Sequence, residues 1–407
     1  MTAVAATISV AVKLFIGTAQ AILAKILMDW RDENGNKFGK NYFFQFVLYL
    51  SMLTLVLPFF IKECRDYNIS RQLSGLKKSH PYSIRHYALA LIPGVLDVMA
   101  LTLSLYTTKD LPVTTSMLLK SLRIVVAALL TKTVMKQSQK FYQWFSVGLT
   151  VLGVVPIAMA AQGRADAIND FVAKTTGLEN NGSSESVIIP LILVVLCEIF
   201  RGVRAVFEEK LMKRDSMSAE FVTFFEAGLG CIVSPFIVLT VHFLPGRDHG
   251  SVENFWDTLS RIAGSKTILV LLLLNFFLVG IQNYATTLVS KYLSSVANAV
   301  IGQARPLIAW VPNVLLWNMC RNRGLFVEKD VKGYNGKIVT QKTWYGEPID
   351  SFSYLEAIGF IMVSLAALVY SGVIKLPCRS CYELQQRSPP SDDDFTKKHP
   401  LHTSSTA

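Results

Sequence analysis

Charged residues are scarce in this sequence. Only 17% of its 407 residues are Asp, Glu, Lys or Arg, against roughly 25% in ordinary soluble domains. The six cysteines have no regular spacing, so they define no disulfide framework. We find no histidine cluster with metal-ligand spacing, no Ser/His/Asp set for nucleophilic catalysis and no glycine-rich phosphate loop. These absences argue against an enzyme, a metal site and an ATP-driven pump, and we expect no cofactor.

Apolar sequence, in contrast, is abundant. Hydrophobic residues make up 51% of the chain and aromatic residues 11%, a composition that excludes a disordered or collagen-like chain. Lys and Arg outnumber Asp and Glu by 40 to 29, which gives a net charge of +11. Because the basic residues cluster in short loops between apolar runs, a membrane explains them better than nucleic acid does. We therefore predict a membrane protein that contacts lipid and has no nucleic-acid partner.

Ten apolar segments are long enough to cross a bilayer, which requires about 20 residues in a helix. They lie at about 3–28, 42–61, 87–107, 111–134, 142–161, 187–207, 218–243, 267–289, 292–317 and 353–374. The sequence therefore predicts an all-α integral membrane protein with ten transmembrane helices.

The distribution of Lys and Arg between loops predicts the orientation of the chain. The loop 62–86 carries six basic residues, whereas the loop 162–186 is balanced by acidic ones. By the positive-inside rule, both termini then face the cytosol and residues 162–186 form a lumenal loop. Asn181 begins an Asn-Gly-Ser sequon in that loop and is a candidate for glycosylation. We predict that residues 376–407 form a disordered cytosolic tail.

The two halves of the chain carry a weak internal repeat. Arg123 in the fourth span and Arg305 in the ninth lie 182 residues apart, each within an apolar helix that a further span follows. An odd number of spans in each half makes the two halves point in opposite directions. We predict two inverted five-helix repeats around a central cavity, at 1–161 and 187–375, the second containing an insertion at 318–352.

Ionisable side chains occur inside the predicted spans, where each costs about 2.5–3.5 kcal/mol to insert. Basic residues outnumber acidic ones there by three. The basic residues include Lys13, Lys120, Arg123, Arg201, Arg204 and Arg305, and the acidic residues include Asp97, Glu198 and Glu226. An anionic substrate in a water-filled cavity would offset this excess of positive charge.

Two of the predicted helices have a polar face that includes an arginine. Ser116, Lys120 and Arg123 recur at helical spacing in the fourth span, and Asn298 and Arg305 do so in the ninth. Arginine presents a fork that matches phosphate or carboxylate, and lysine adds a compact charge. The favoured interpretation is a clamp that holds an anion between the two helices.

The same charges also have structural interpretations. Arg123 could pair with Asp97, or long basic side chains could extend to the membrane interface. Glu198 and Arg201 are three residues apart and are expected to neutralise each other on one helix. Glu208–Lys210 are most simply a solvated helix end.

Several motifs resemble those of a known family. They are Asn275, Asn283-Tyr284-Ala285, Val289-Ser290-Lys291-Tyr292-Leu293-Ser294 and Arg305, together with Phe207-Glu208-Glu209-Lys210 and Glu226-Ala227-Gly228. At these spacings the chain resembles the drug/metabolite transporter superfamily, in its nucleotide-sugar-transporter-like branch with EamA-type repeats. Within that branch it is most similar to the orphan F-type members.

The resemblance implies ten helices, cytosolic termini and exchange through a central cavity. Better-understood relatives exchange nucleotide sugars for nucleoside monophosphates across Golgi or endoplasmic reticulum membranes, and the F-type branch includes lysosomal members. We therefore expect a multi-pass protein of the endomembrane system, with the lysosome or vacuole as the alternative compartment. A homodimer is one option for its assembly.

These observations lead to one favoured function and two alternatives. The favoured function is a secondary transporter that moves an anionic or polar metabolite, such as a nucleotide sugar, by alternating access. Its expected substrate-binding residues are Lys120, Arg123, Arg305, Lys291, Asn283, Asn275, Gln303, Ser116 and Asn298. The first alternative is a lysosomal or vacuolar exporter of drugs, amino acids or peptides that is coupled to protons through Asp97 or Glu226. The second is a membrane scaffold that transports nothing.

Overall fold

The computed structural model describes residues 2–30, 38–74, 84–107, 122–134, 140–176, 185–302, 304–324, 326–332, 338–344, 351–370 and 374. Four predicted functional positions, Ser116, Lys120, Asn181 and Gln303, lie outside these residues, as does the predicted tail at 376–407.

The described part of the chain is almost all helical. In chain order its helices are α1 (Thr2–Asp29), α2 (Asn41–Ser74), α3 (Ile84–Thr107), α4 (Leu122–Val134), α5 (Phe141–Thr176), α6 (Glu185–Lys213), α7 (Ala219–Phe243), α8 (Phe255–Gly264), α9 (Lys266–Tyr292), α10 (Ser295–Gly302), α11 (Ala304–Arg323) and α12 (Ser353–Tyr370). The strands are β1 (Pro245–Asp248), β2 (Phe326–Lys332) and β3 (Ile338–Trp344).

Six helices of the described residues are long and apolar enough to cross a membrane. These segments are Val4–Met28, Asn41–Tyr67, Ile84–Leu105, Ala219–Phe243, Lys266–Tyr292 and Ser353–Tyr370. Each coincides with one of the ten predicted spans. Helices α4, α5, α6 and the pair α10 and α11 occupy the positions of the other four. This arrangement is consistent with a multi-pass membrane protein.

Side-chain caps fix the starts of several helices. Ser218 accepts a hydrogen bond from the Phe221 amide at 3.0 Å and so begins α7. At the start of α2, the buried carboxylate of Glu253 accepts from the amides of Tyr42 and Phe43 at 2.9 and 2.7 Å. The negative charge also suits the positive end of the helix dipole. The loop between α7 and α9 is thereby joined to the start of α2.

The helices pack in pairs that bring distant parts of the chain together. The most extensive contacts join α1 to α9, α3 to α6, α2 to α7 and α5 to α12. The backbone of Gly230 in α7 lies directly against the Tyr49 ring of α2, where any Cβ atom would collide with that ring. Large apolar side chains such as Leu152, Phe236 and Ile361 point outwards and are 60%, 65% and 58% exposed. An apolar exterior of this kind suits contact with lipid.

Two features differ from the sequence-based expectations. The insertion 318–352 contains an antiparallel hairpin in which β2 pairs with β3, with Phe326 opposite Trp344, so the chain is not purely α-helical. Ile338–Trp344 is rich in β-branched and aromatic residues, which favour a strand over a helix. Helix α5 also continues to Thr176, well into the segment predicted as a lumenal loop.

Candidate functional site

Arg305 lies at the start of α11 and packs against two other helices. Its guanidinium touches the backbone of Gly17 in α1, where an added Cβ atom would lie 2.8 Å from Cζ. With its amide oxygen turned towards the guanidinium, Gln282 of α9 accepts from Nη1 and Nη2 at 3.2 and 2.8 Å. The Nε atom is buried without a hydrogen-bond partner. Among the described residues, no carboxylate forms a salt bridge with Arg305.

Lys13 is a second buried cation that lies close to the same region. Its side chain is on α1 and only 3% exposed. The ammonium donates to the backbone and side-chain oxygens of Asn298 on α10, both of which are uncharged acceptors. Asn298 is held in this orientation because its amide nitrogen donates to Ser290 Oγ at 2.6 Å and to the Thr286 carbonyl at 3.2 Å. No described carboxylate pairs with Lys13.

Arg123 on α4 is the third cation, and it does have a carboxylate partner. Its Nε and Nη2 atoms donate to Glu198 Oε2 at 3.0 and 2.9 Å. Arg201 donates to the other oxygen of Glu198 at 2.6 Å, which is the pair expected from their spacing. The structural alternative that paired Arg123 with Asp97 is therefore wrong, and the partner is Glu198. One carboxylate between two guanidinium groups leaves one positive charge in excess.

These cations lie within range of one another's charge. Lys13 experiences the charges of both Arg305 and Arg123, and Arg305 experiences that of Arg123. Repulsion between buried like charges is unfavourable unless an anion or water compensates it. The three groups come from α1, α4 and α11, so they converge from both halves of the sequence. An anion bound near them would offset their positive charge.

A separate group of charges surrounds Arg204 on α6. Its guanidinium forms salt bridges with Asp97 on α3, with Glu208 on α6 at 2.5 Å and with Glu226 on α7 at 2.5 Å. The hydroxyl of Tyr49 on α2 donates to the second oxygen of Asp97 at 2.9 Å. Asp97 and Glu226, the two predicted coupling residues, therefore meet at one arginine.

The end of α6 is not solvated as expected. Glu208 and Glu209 are only 3% and 0% exposed. Glu209 accepts from the backbone and hydroxyl of Ser295 at 2.7 and 2.6 Å, and Lys213 contacts its other oxygen at 2.9 Å. The prediction was wrong because it considered α6 alone, whereas the start of α10 covers this end of the helix.

The remaining predicted residues lie along α9. Asn275 is fully buried and donates to the Leu271 carbonyl of its own helix at 3.1 Å, with its side-chain oxygen unpaired. Asn283 and Lys291 are half-buried. Within the described residues, no hydrogen bond joins them to Lys13 or Arg305. Sequence reasoning did not select Lys13 and Gln282 as site residues, although a lysine in the middle of an apolar span is a recognisable signal.

One cluster in the described residues has the donor types of a metal site. Atoms of Asp248, His249 and Asp257 lie within 4.8 Å of one another. However, the buried ammonium of Lys40 contacts both carboxylates, at 2.5 and 2.6 Å, and so already supplies the positive charge. Burial raises the pKa of Asp257, but hydrogen bonds and charges from Lys40 and Arg261 outweigh it, and the net effect lowers that pKa. This cluster is better explained as a salt-bridged loop than as a metal centre.

Comparison with known proteins identifies the family. Residues 6–245, more than half of the chain, match the sequence profile of the family described as "Nucleotide-sugar transporter". The chain belongs to the nucleotide-sugar transporter family. This membership, together with its apolar helices, makes it a multi-pass membrane transport protein.

Individual relatives share little sequence identity with this member of the nucleotide-sugar transporter family. The chain is 21% identical over 275 residues to proteins named "Solute carrier family 35 member F6" from Pongo abelii and Homo sapiens. The match covers 66% of this chain and 69% of each relative. A solved structure described as "Crystal structure of protein" aligns over 91% of this chain and 99% of its own, with 11% identity and a TM-score of 0.49.

Proposed function

We propose that this nucleotide-sugar transporter family member is a secondary transporter that exchanges phosphate-bearing metabolites by alternating access. Nucleotide sugars and nucleoside monophosphates are the first candidates, as the family membership suggests. We further propose that Lys13, Arg123 and Arg305 bind the phosphate groups. Gln282 and Asn298 orient two of these cations through uncharged hydrogen bonds.

The buried cations without carboxylate partners are the observation that carries this proposal. Lys13 and Arg305 are held by amide and carbonyl oxygens, which supply hydrogen bonds but no negative charge. An unpaired buried charge costs several kcal/mol, and a bound anion would compensate the two that this arrangement retains. Phosphate is well matched, because arginine donates to it through a planar fork and lysine through a point charge.

The packing of the helices supports two inverted five-helix repeats. We pair the helices of the two halves in chain order: α1 with α6, α2 with α7, α3 with α9, α4 with α10–α11, and α5 with α12. Under this pairing, each extensive contact between two helices has a counterpart between their paired helices. The contact of α1 with α9 corresponds to that of α6 with α3, and the contact of α2 with α9 corresponds to that of α7 with α3. The contacts of α2 with α7 and of α5 with α12 each join two paired helices, so exchange of the two repeats leaves them unchanged. Alternating access by rocking of two such halves is a common transport mechanism.

This correspondence explains why Arg123 has a carboxylate partner and Arg305 has none among the described residues. Shifting α1 by 185 residues aligns Gly17 with Gly202 and Lys25 with Lys210 in α6. The same shift aligns Lys13 with Glu198, the carboxylate that neutralises Arg123. Lys13, which lies near Arg305, therefore occupies the position that corresponds to the neutralising glutamate. We propose that the substrate phosphate supplies beside Arg305 the negative charge that Glu198 supplies beside Arg123.

We also propose that the protein works in the Golgi or endoplasmic reticulum membrane with both termini in the cytosol. Nucleotide sugars carry charged phosphate groups and therefore cannot cross a bilayer unaided. The excess of basic residues in the loop 62–86 supports this orientation.

Uptake by proteoliposomes tests the proposed function. Vesicles containing purified protein and loaded with unlabelled UMP are expected to accumulate labelled UMP or UDP-glucose by exchange. Uridine, which lacks phosphate, is the matched probe and should not be exchanged. Arg305→Ala should abolish exchange while the protein still elutes as a monodisperse species, and Arg305→Lys should restore part of it. Equal exchange of UMP and uridine would contradict the phosphate site.

A further inference from the structure

The carboxylates around Arg204 outnumber the positive charges that they contact. Asp97, Glu208 and Glu226 all form salt bridges with the single guanidinium. These three carboxylates are 7%, 3% and 0% exposed, so water offers them little compensation. If all three were ionised, these carboxylates and the guanidinium would together carry a net charge of −2.

Glu208 and Glu226 are the closest pair in this group. Oε1 of each lies 2.5 Å from the same Nε atom of Arg204, so the two oxygens are no more than about 5 Å apart. The Nε–H group donates a hydrogen bond to Glu208 at 2.5 Å. Glu226 makes the short contact without hydrogen-bond geometry, and both of its buried oxygens lack a hydrogen-bond partner among the described residues. Repulsion between two buried carboxylates this close favours a proton shared between them.

Among the described residues, Arg204 is the only cation that contacts Glu226. From the helices packed against α7, the ionisable groups that act on it are Arg204, Glu208 and Asp97, and Tyr49 also experiences its charge. On α9, which also contacts α7, the ionisable residues are Lys266, Tyr284, Lys291 and Tyr292. Of these, Tyr284 donates to Glu220 at 2.7 Å, towards the start of α7.

We infer that Glu208 and Glu226 form a proton-binding site that couples transport to proton movement. The coupling rests on the proposed function, whereas the shared proton does not. In the coupled step a carboxylate oxygen of the pair accepts one proton from the aqueous phase, and Arg204 remains paired with the other carboxylates. The pair releases the same proton when the site opens to the opposite side.

The charges of the site determine the direction of coupling. The described ionisable groups of the two clusters comprise five cations and four carboxylates, so their net charge is +1 with every group ionised and +2 with one shared proton. Arg123 interacts electrostatically with Glu208, which links the clusters. A phosphate monoester carries about −1.5 to −2 charges. Protonation therefore favours anion binding, and by linkage the anion favours protonation, so both should move in the same direction.

Net uptake of labelled UMP into vesicles that contain no nucleotide, under a proton gradient and with the membrane potential clamped, tests this coupling. Acidification of the uptake side should increase accumulation of UMP by the wild type, up to about tenfold per unit of pH for one coupled proton. Glu226→Gln and Glu208→Gln each remove the shared proton, so accumulation should become independent of the gradient. Glu220→Gln, on the same helix as Glu226 but bonded to Tyr284, is the matched control and should keep the wild-type response.

An infrared measurement separates the proton site from transport. In detergent at neutral pH, the wild type should show the C=O stretch of a protonated carboxyl group that Glu226→Gln and Glu208→Gln lack and Glu220→Gln retains. A band that is unchanged in both glutamine variants would overturn the shared proton. A gradient response that survives in both variants, or is absent from an active wild type, would overturn the coupling. If no protein exchanges UMP or UDP-glucose but the band behaves as expected, the proposed function fails and the proton site stands.

Discussion

The guanidinium of Arg305 lies against the backbone of Gly17, and a Cβ atom on this glycine would stand 2.8 Å from Cζ and 2.9 Å from Nε and Nη2. Glycine at position 17 therefore allows the arginine on α11 to approach α1. The contact also brings Arg305 onto the helix that carries Lys13, one turn away from Gly17. The position of the proposed phosphate site thus depends on the absence of a Cβ atom at position 17.

Gly17→Ala should reduce exchange of UMP by at least about tenfold, because the new methyl group displaces the Arg305 guanidinium. Small misplacements of a binding group reduce transport or catalysis by such factors. Gly148→Ala is the matched control, since a Cβ atom there would meet nothing within 4 Å and alanine favours the helix. Initial rates of exchange measure the effect. Normal rates in Gly17→Ala would show that the contact is not needed.

Lys13→Met should weaken UMP binding roughly tenfold to hundredfold, the loss expected for a hydrogen bond to a charged group. Lys13→Glu should have the larger effect, because it introduces beside Arg305 the carboxylate that Glu198 provides in the other half. Binding is measured by the stabilisation that UMP produces in thermal unfolding. A Lys13→Glu variant with wild-type affinity would contradict the correspondence between Lys13 and Glu198.

Asp257 should contribute stability that is lost in acid. Its pKa in the folded protein is below the ordinary value of 3.8, so the ionised carboxylate favours the folded state. The contribution is present above pH 3.8 and disappears as the pH falls through the lowered pKa. The melting temperatures of wild type and Asp257→Asn should therefore differ at neutral pH and converge in acid.

His249 provides the control for this acid dependence. Its ring lies 3.6 Å from Asp257 and is 63% exposed. Asn tolerates the positive φ of 49° at this position. His249→Asn should therefore keep the acid response, and a response lost in this variant would assign it to the histidine.

Glu209→Ala should destabilise the protein by about 1–3 kcal/mol, since it leaves the buried amide and hydroxyl of Ser295 without their acceptor. Ser295→Ala should cost less, because the amide bond to Glu209 remains. The two substitutions should couple by about 0.5–3 kcal/mol in a double-mutant cycle of thermal unfolding. Lys213→Ala, which removes a partly exposed i,i+4 partner of Glu209, should cost less than about 1 kcal/mol. Strict additivity of Glu209→Ala and Ser295→Ala would contradict a direct contact.

Local spacing predicted only part of the candidate site. The pairing of Glu198 with Arg201 follows from a separation of three residues on one helix, and the structure contains it. The contacts of Arg204 join residues that are up to 107 positions apart and lie on three helices. No periodicity encodes such contacts, so Glu208 was taken for a solvated residue. Lys13 was recognised as a buried charge, but its proximity to Arg305 depends on the packing of α1 against α11.

The sequence by itself determined that the chain enters a membrane and where most of its helices lie. This is because a segment of about 20 apolar residues satisfies its backbone hydrogen bonds in lipid only as a helix. Only the tertiary structure decided which buried cations keep a carboxylate partner and which do not. The sequence contains the same kinds of charge in both halves, but neutralisation acts over a few ångströms, and the packing of distant helices sets those distances.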